Sequence, residues 1–235
     1  MAEIARRVRA LREGDDAAKA AAARALGDLA CGNNANQGAI AAAGAIPPLV
    51  KLLRDGSADA KGLAAGALGD LACNAAVPVQ VLIAEAGGIP PLVELLRDGN
   101  AEGKYWAVGA LDVLTCNNDN KALIAEAGGI PPLVELLRDR DGSLQAKAEA
   151  AGVLRYLARD NDANAVAIAA AVGFDAVAEL ARGGRVTVDN RSIVRNAGVP
   201  AKRKAALVVA TLLRDYVPEF KSAPRDIKTV IGPYL

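Results

Sequence analysis

Histidine is missing from this sequence altogether. His-based catalytic triads, histidine metal ligands and a histidine general base are therefore excluded. Cysteine is scarce: there are three, an odd number, and no C-x-x-C pair, so neither a disulfide framework nor a zinc site is indicated. Glycine-rich nucleotide-binding motifs, a G-x-S-x-G nucleophile elbow and an H-E-x-x-H zinc motif are absent too. The sequence predicts a non-enzyme without metal or cofactor.

Long apolar runs are also lacking, although 52% of the residues are hydrophobic. No run reaches the roughly eighteen residues of a membrane span, and the segment Met1–Arg9 lacks the apolar core of a secretory signal. Lys and Arg total 28 against 27 Asp and Glu, so no global charge excess would attract nucleic acid or a membrane surface. We expect a soluble protein in the cytoplasm, with the nucleus as the alternative.

What the sequence does contain is a repeat of about forty residues. The segment Ile-Pro-Pro-Leu-Val-x-Leu-Leu-Arg-Asp begins at Ile46, Ile89 and Ile130. A fixed period of this length is typical of a solenoid, in which neighbouring units bury each other's apolar faces. The cysteines recur with the same period, and because they are small, apolar and equivalently placed, we predict that they lie in the core. They are Cys31, Cys73 and Cys116.

Glycine and proline divide each unit into three helices. A short first helix ends at a glycine pair such as Gly87-Gly88, where glycine permits a left-handed turn. An amphipathic second helix starts at Pro-Pro, which suits a first helical turn, and ends at Arg-Asp-Gly. A longer third helix follows, for instance Ala58–Cys73, with apolar residues at three- and four-residue steps. The pattern predicts an all-α fold.

These segments resemble the armadillo repeats of β-catenin, importin-alpha and the plant U-box ubiquitin ligases. The resemblance rests on Ala-Gly-Gly-Ile-Pro-Pro-Leu-Val-Glu-Leu-Leu, on the Ala-x-x-Ala-Leu-x-x-Leu-Ala third helix and on the matching period. HEAT repeats are the nearest competitor, but the three-helix division with its Gly-Gly bend argues against them. The resemblance implies a right-handed α-α superhelix, an armadillo-repeat solenoid, whose third helices line a concave face that binds extended segments of partner proteins.

We expect a single solenoid over residues 1–235 with partial repeats at both ends. Because both ends fall inside a repeat, the chain is expected to be a fragment of a longer protein or a subunit that associates end to end. The expected units are repeat 1 at 4–44 (lacking its first helix), repeat 2 at 45–87, repeat 3 at 88–128, repeat 4 at 129–172, repeat 5 at 173–220 with an insertion near 183–200, and a partial repeat at 221–235.

The third helices carry the candidate binding residues. Importin-alpha holds basic peptides there with a Trp ladder and an Asn ladder, and aligned positions such as Gly66, Gly109 and Val113 show that both ladders are missing here. Instead the face presents an acidic-to-amide stripe with three aromatics, which suits an extended, basic segment of a protein partner. The predicted binding residues are Arg24, Asp28, Asp70, Asn74, Tyr105, Trp106, Asn117, Glu149, Tyr156 and Asp160.

Each of these predictions has a purely structural alternative. Trp106 and Tyr105 would fill core space between repeats, and the Asp and Asn residues would be solvated or cap helix ends. Glycine inside a helix costs roughly 1 kcal/mol against alanine, so the glycines at 66, 109 and 152 need an explanation. The two explanations are close approach of a ligand backbone and tight helix packing.

A basic cluster near the C-terminus is a second candidate surface. It has no accompanying aromatic residues for stacking on bases, so nucleic-acid binding is not favoured. A solvated helix face or an interdomain contact is the leading interpretation, and a surface for an anionic partner is the alternative. The cluster also supports an alternative function, a structural subunit held in an assembly by its ends and this surface. A substrate-recognition module of a ubiquitin ligase is a further alternative, and a nuclear import receptor is the least favoured. The cluster consists of Arg191, Arg195, Lys202, Arg203 and Lys204.

Overall fold

A computed structural model gives the fold of the chain. It divides the chain into two compact units, Met1–Pro132 and Leu133–Leu235, which are described separately. Within the described residues there are eleven α-helices and no strand, so the prediction of an all-α fold is confirmed. The residues that the structure describes are 1–73, 79–139, 143–159, 161, 163, 164, 167, 168 and 171.

The helices follow the order expected from the repeat, second and third helix first and then three helices per repeat. They are α1 Ala2–Glu13, α2 Asp16–Ala30, α3 Asn34–Ala42, α4 Ile46–Asp55, α5 Ala58–Ala72, α6 Val79–Glu85, α7 Ile89–Asp98, α8 Ala101–Leu114, α9 Asn118–Glu126, α10 Ile130–Arg138 and α11 Leu144–Ala158.

Glycine follows the end of each of the first helices α3, α6 and α9. Gly44, Gly87 and Gly128 have φ angles of 74°, 73° and 77°, in the left-handed region that residues with a Cβ rarely adopt. The chain then turns into the second helix, which carries proline in its first turn in α4 and α7. No single helix of the described part is long and apolar enough to cross a membrane. α6 and α7 pass that test only as a pair, bent by 81° at their junction.

The core of the Met1–Pro132 unit lies beneath its third helices. α5 packs against α2 on one side and against α8 on the other. Leu26, Leu68 and Leu111, one from each of these helices, are at most 1% exposed, and burial of each contributes about 1.5–3 kcal/mol. Small residues let the helices approach closely: a Cβ added to Gly69 would lie 3.3 Å from the Cα of Ala110.

Arginines at the ends of second helices hold the ends of the first helices that follow. In the Met1–Pro132 unit, Nη2 of Arg12 donates to the carbonyls of Ala43 and Gly44, at 3.3 and 3.1 Å. In the Leu133–Leu235 unit, Nη2 of Arg138 donates to the carbonyl of Ala171 at 3.1 Å. A cation at a helix C-terminus satisfies orphan carbonyls and opposes the negative end of the helix dipole. An arginine near the end of a second helix thus links that helix to the end of the next first helix.

The cysteines correct the sequence analysis. We predicted that Cys31, Cys73 and Cys116 lie in the core, but all three are exposed. Each lies at or just beyond the end of a third helix, whose last fully buried residues precede it: Ala30 before Cys31, and Ala72 before Cys73. The cysteines occupy equivalent positions in the repeat, and these positions are equally exposed instead of buried.

Candidate partner-binding surface

The third helices α2, α5 and α8 form a continuous surface in the Met1–Pro132 unit, which we call the third-helix face. Its most distinctive feature is a pair of carboxylates on neighbouring helices. Asp28 is exposed on α2, and Asp70 on α5 is partly buried against it, with Oδ2 of Asp70 3.1 Å from the point where a Cβ on Gly27 would lie. Glycine at position 27 is what leaves room for the Asp70 carboxylate beside α2.

The surroundings of Asp70 are unfavourable for its negative charge. The pKa of Asp70 is raised from its ordinary value of 3.8, first because burial penalises the charged form and second because Asp28 repels it. Among the described residues, no Lys or Arg forms an ion pair with either carboxylate. Arg24, predicted as a binding residue, is exposed one helical turn before Asp28 on α2.

Trp106 lies on the same face, across the groove between α5 and α8. A Cβ added to Gly66 would lie 3.1 Å from Cε3 of the indole, and one added to Gly62 would lie 3.6 Å from its Cδ1. The ring therefore covers these two glycines and remains partly exposed, instead of entering the core. Tyr105 packs edge-on against it, with ring centroids 5.0 Å apart. Tight packing, the structural alternative, accounts for Gly66.

The indole nitrogen has a weak partner on its own helix. Nε1 of Trp106 donates to Oε1 of Glu102 at 3.4 Å, near the limit of a hydrogen bond. Because Gly66 precedes Asp70 by one turn of α5, the Trp106 ring lies one turn from the acidic pair. The face therefore combines an aromatic surface with two adjacent carboxylates.

Asn117 has a structural role that the sequence analysis had kept open. It is the N-cap of α9, and its Oδ1 accepts from the backbone N–H groups of Asp119 and Asn120 at 2.9 and 3.1 Å. The side-chain oxygen of Asn117 therefore caps a helix, as the structural alternative predicted. Its assignment to partner binding stays a prediction.

Two of the remaining predicted residues lie on α11, in the Leu133–Leu235 unit. Oε1 of Glu149 accepts from Nε2 of Gln145 at 3.2 Å. The guanidinium of Arg155 lies over the ring of Tyr156, 4.4 Å from its centroid, in a cation–π contact. The predicted residues that fall outside the described part are Asn74, Asp160, Arg191, Arg195, Lys202, Arg203 and Lys204.

A ladder of buried and partly buried amide side chains escaped the sequence analysis. Among the described residues, four amides near the starts of first helices each donate to a carbonyl near the end of the preceding third helix. The sequence contains a signal for this ladder, because amide residues recur near the starts of the first helices with the period of the repeat. Asn residues at nearby helix caps obscured this signal. The bonds run from Gln37 to Ala30 at 3.1 Å, Gln80 to Ala72 at 2.7 Å, Asn120 to Leu114 at 3.2 Å and Asn164 to Leu157 at 3.0 Å.

These features define a helical-repeat protein with an acidic and aromatic face. Residues 117–159 match the family model of the Armadillo/beta-catenin-like repeat, and residues 16–71 match that of a HEAT-like repeat. No curated protein matches the sequence.

Solved structures agree with the armadillo assignment. A designed armadillo repeat protein in complex with the peptide (KR)4 is 26% identical, with a TM-score of 0.73, over 98% of this chain and 89% of that one. Computationally designed armadillo repeat proteins for modular peptide recognition are 25% identical, with a TM-score of 0.77, over 98% of this chain and 91% of theirs. The resemblance to armadillo-repeat proteins is confirmed, and the chain has the fold of an armadillo-repeat solenoid.

Proposed function

We propose that this protein is a non-catalytic scaffold that binds an extended, basic segment of a partner protein on the third-helix face. The observation that carries the proposal is the Asp28–Asp70 pair: two carboxylates held together on adjacent helices, with no cation paired to them among the described residues. A Lys or Arg side chain of the ligand would relieve the repulsion between them.

The charges of Asp28 and Asp70 are expected to contribute favourably to the binding of a basic ligand. Hydrogen bonds to charged groups contribute about 1.5–3 kcal/mol each, more than bonds between neutral groups. The partial burial of Asp70 weakens screening by solvent, so its charge acts more strongly on a bound cation than that of a fully exposed carboxylate. A basic ligand is therefore expected to make its strongest polar contact at this pair.

The aromatic residues would supply the apolar part of the interface. Trp106 is partly exposed and fixed by its contacts with Gly66 and Tyr105, so little side-chain entropy is lost when a ligand packs on it. Tryptophan is among the residues that most often dominate binding energy, and a cation over its ring adds about 0.5–1 kcal/mol. The designed neighbour in complex with (KR)4 supports a ligand of this chemistry.

Titration with a synthetic Lys-Arg peptide tests the proposal, with Trp106 as the reporter. It is the only tryptophan of the chain, so its fluorescence reports the third-helix face directly. We expect the Asp28→Asn, Asp70→Asn double variant to bind at least about tenfold more weakly, a loss of about 1.4 kcal/mol. A Glu-Asp peptide of the same length should not bind.

The matched control is Glu94→Gln, which removes the charge of an exposed carboxylate on the second helix α7. It should leave the affinity within about twofold of the wild type. Equal weakening by the control would show a non-specific charge effect, and unchanged affinity in the double variant would refute the acidic pair as the site. Capture of a cellular partner by wild type and by the double variant alike would favour the alternative, attachment through the chain ends or the basic cluster.

A further inference from the structure

Gln37 occupies a special place in the amide ladder. It lies in α3, between the last turns of the third helices α2 and α5, and is 1% exposed. Its Nε2 donates to the carbonyls of Ala30 at 3.1 Å, Asp70 at 2.9 Å and Cys73 at 2.7 Å. Two amide hydrogens are thus shared among three carbonyls on two different helices.

These bonds connect the two halves of the acidic pair. Ala30 lies two residues after Asp28 on α2, and the backbone carbonyl of Asp70 is itself an acceptor. Ala30 and Asp70 both lie in regular helix. Because helix geometry is regular, fixing a backbone carbonyl also fixes the backbone of residues in the same turn. One buried amide group thus bridges the last turns of the two helices that carry Asp28 and Asp70, in addition to the direct packing of these helices.

The other half of the same side chain is poorly satisfied. Oε1 of Gln37 is buried and accepts no hydrogen bond from the described residues. A buried acceptor without a partner is costly, and an apolar side chain of similar shape would avoid that cost. The Nε2 group, by contrast, joins the ends of two helices, which an apolar side chain could not do.

The other ladder residues do not share this arrangement. Within the described part of the chain, Gln80 donates to the carbonyl of Ala72, on the helix that precedes it, and to no other third helix. Asn120 bonds Leu114 and the backbone carbonyl of Gln80, which belongs to a first helix. Among the described amides, Gln37 bonds the ends of two third helices, and both of these helices carry an aspartate of the third-helix face.

We infer that Gln37 is a positioning residue that sets the separation of Asp28 and Asp70, and thereby selects the spacing between basic residues in the bound segment. The inference rests on the proposed function, because it assigns the specificity of that same site. In an extended peptide, neighbouring residues are about 3.3 Å apart, so a shift of that size between the carboxylates would favour a different spacing.

Gln37→Met tests the inference, because methionine fills a similar volume but donates no hydrogen bond. The probes are glycine-serine peptides of equal length that carry two lysines separated by one, two or three residues. With wild type, we expect the best spacing to bind at least about fivefold more tightly than the worst. With Gln37→Met, the three affinities should fall within about twofold of one another.

Gln80→Met is the matched control, since it removes a partly buried amide of the same ladder that does not bridge α2 and α5. It should lose stability but retain the preference for one spacing. If Gln37→Met does not fold, Gln37→Asn replaces it, because a shorter amide keeps the donor but cannot span the same three carbonyls. Retention of the wild-type preference by a folded Gln37 variant would overturn the inference.

A second measurement needs no ligand and separates the two proposals. The Asp28→Asn substitution should lower the pKa of Asp70, measured by carboxyl NMR, and this effect should be smaller in the Gln37→Met background because the two carboxylates are no longer held together. Cys73, whose thiol pKa is raised by burial and then by the charge of Asp70, is unchanged in all variants. An equal effect in both backgrounds would refute positioning by Gln37. Absence of peptide binding to wild type would refute the proposed function and the selection of spacing, while the NMR result still decides positioning.

Discussion

Asp70 is a partly buried carboxylate whose repulsion by Asp28 should appear in the stability of the fold. Its folded-state pKa is raised, so between the ordinary value of 3.8 and the raised value the native protein holds a proton that the unfolded chain releases. Stability must therefore decrease as pH rises through that window, and the ionised group destabilises the fold above it. We expect Asp70→Asn to be more stable than wild type near neutral pH.

Urea unfolding at several pH values would check this prediction. The advantage of Asp70→Asn should be largest at about pH 7 and should fade as pH falls through the raised pKa toward 3.8. Glu94→Gln, which removes an exposed carboxylate, serves as the control. A variant that is less stable than wild type at neutral pH would mean that the Asp70 carboxylate makes a favourable interaction that outweighs the repulsion.

Gly66 and Trp106 should be energetically coupled. Alanine favours a helix over glycine by about 1 kcal/mol, but a Cβ at position 66 would lie within 3.1 Å of the indole. We therefore expect Gly66→Ala to give little or no stabilisation in wild type, and about 1 kcal/mol of stabilisation in a Trp106→Ala background. A double-mutant cycle by chemical denaturation measures the difference, and a coupling energy near zero would show that the ring moves aside freely.

The sequence was a good guide to single side chains inside helices and a poor one at helix ends. The positions of Asp28 and Asp70 on α2 and α5 follow from helical phase, which the repeat makes clear. Exposure of Cys31 could not be predicted, because one residue separates a buried last turn from solvent. The contact of Trp106 with Gly66 joins two repeats, and no pattern within one repeat specifies it.

The third helix α8 depends on an N-cap that can be removed without touching the core. Oδ1 of Asn100 accepts from the backbone N–H of Gly103 at 2.7 Å. We expect Asn100→Ala to lower the free energy of unfolding by about 1 kcal/mol, because an orphan donor loses its partner. Asn118→Ala, at an exposed position in the first turn of α9, should change it by less than about 0.5 kcal/mol. Equal losses in thermal denaturation would argue against the cap.

Helix boundaries were predictable because the chain marks them chemically. The Pro-Pro start and the Arg-Asp-Gly end of α4 and α7 are both found where the sequence placed them. The bonds that link one helix to the next were not predictable, although their donors recur with the repeat. Arg12 and Gln37 donate to backbone carbonyls. Every residue has such a carbonyl, so the acceptor cannot be recognised from the residue type.

The molecule as a whole is nearly neutral, with a formal net charge of +1. Under the proposed function, attraction of a basic segment would come from the local field of the acidic pair and not from the total charge. We expect the affinity of the Lys-Arg peptide to fall roughly tenfold as salt increases from about 0.05 to about 0.5 M, because a local field is screened over a Debye length of about 10 Å at 0.1 M.

The same salt titration on the Asp28→Asn, Asp70→Asn variant is the control. Its residual binding should depend only weakly on salt, since the apolar contact with Trp106 would then carry most of the affinity. An equally steep dependence in wild type and variant would place the attraction elsewhere on the molecule.

The three exposed thiols give the Met1–Pro132 unit a built-in set of reporters. Cys31, Cys73 and Cys116 mark the ends of three successive third helices, and they are the only cysteines in the chain. Replacing one with serine leaves two sites for spectroscopic labels at known steps along the stack. The distance between labels at Cys31 and Cys116 would then show directly whether the stack bends or stretches when a ligand enters, without any cysteine having to be engineered into the protein.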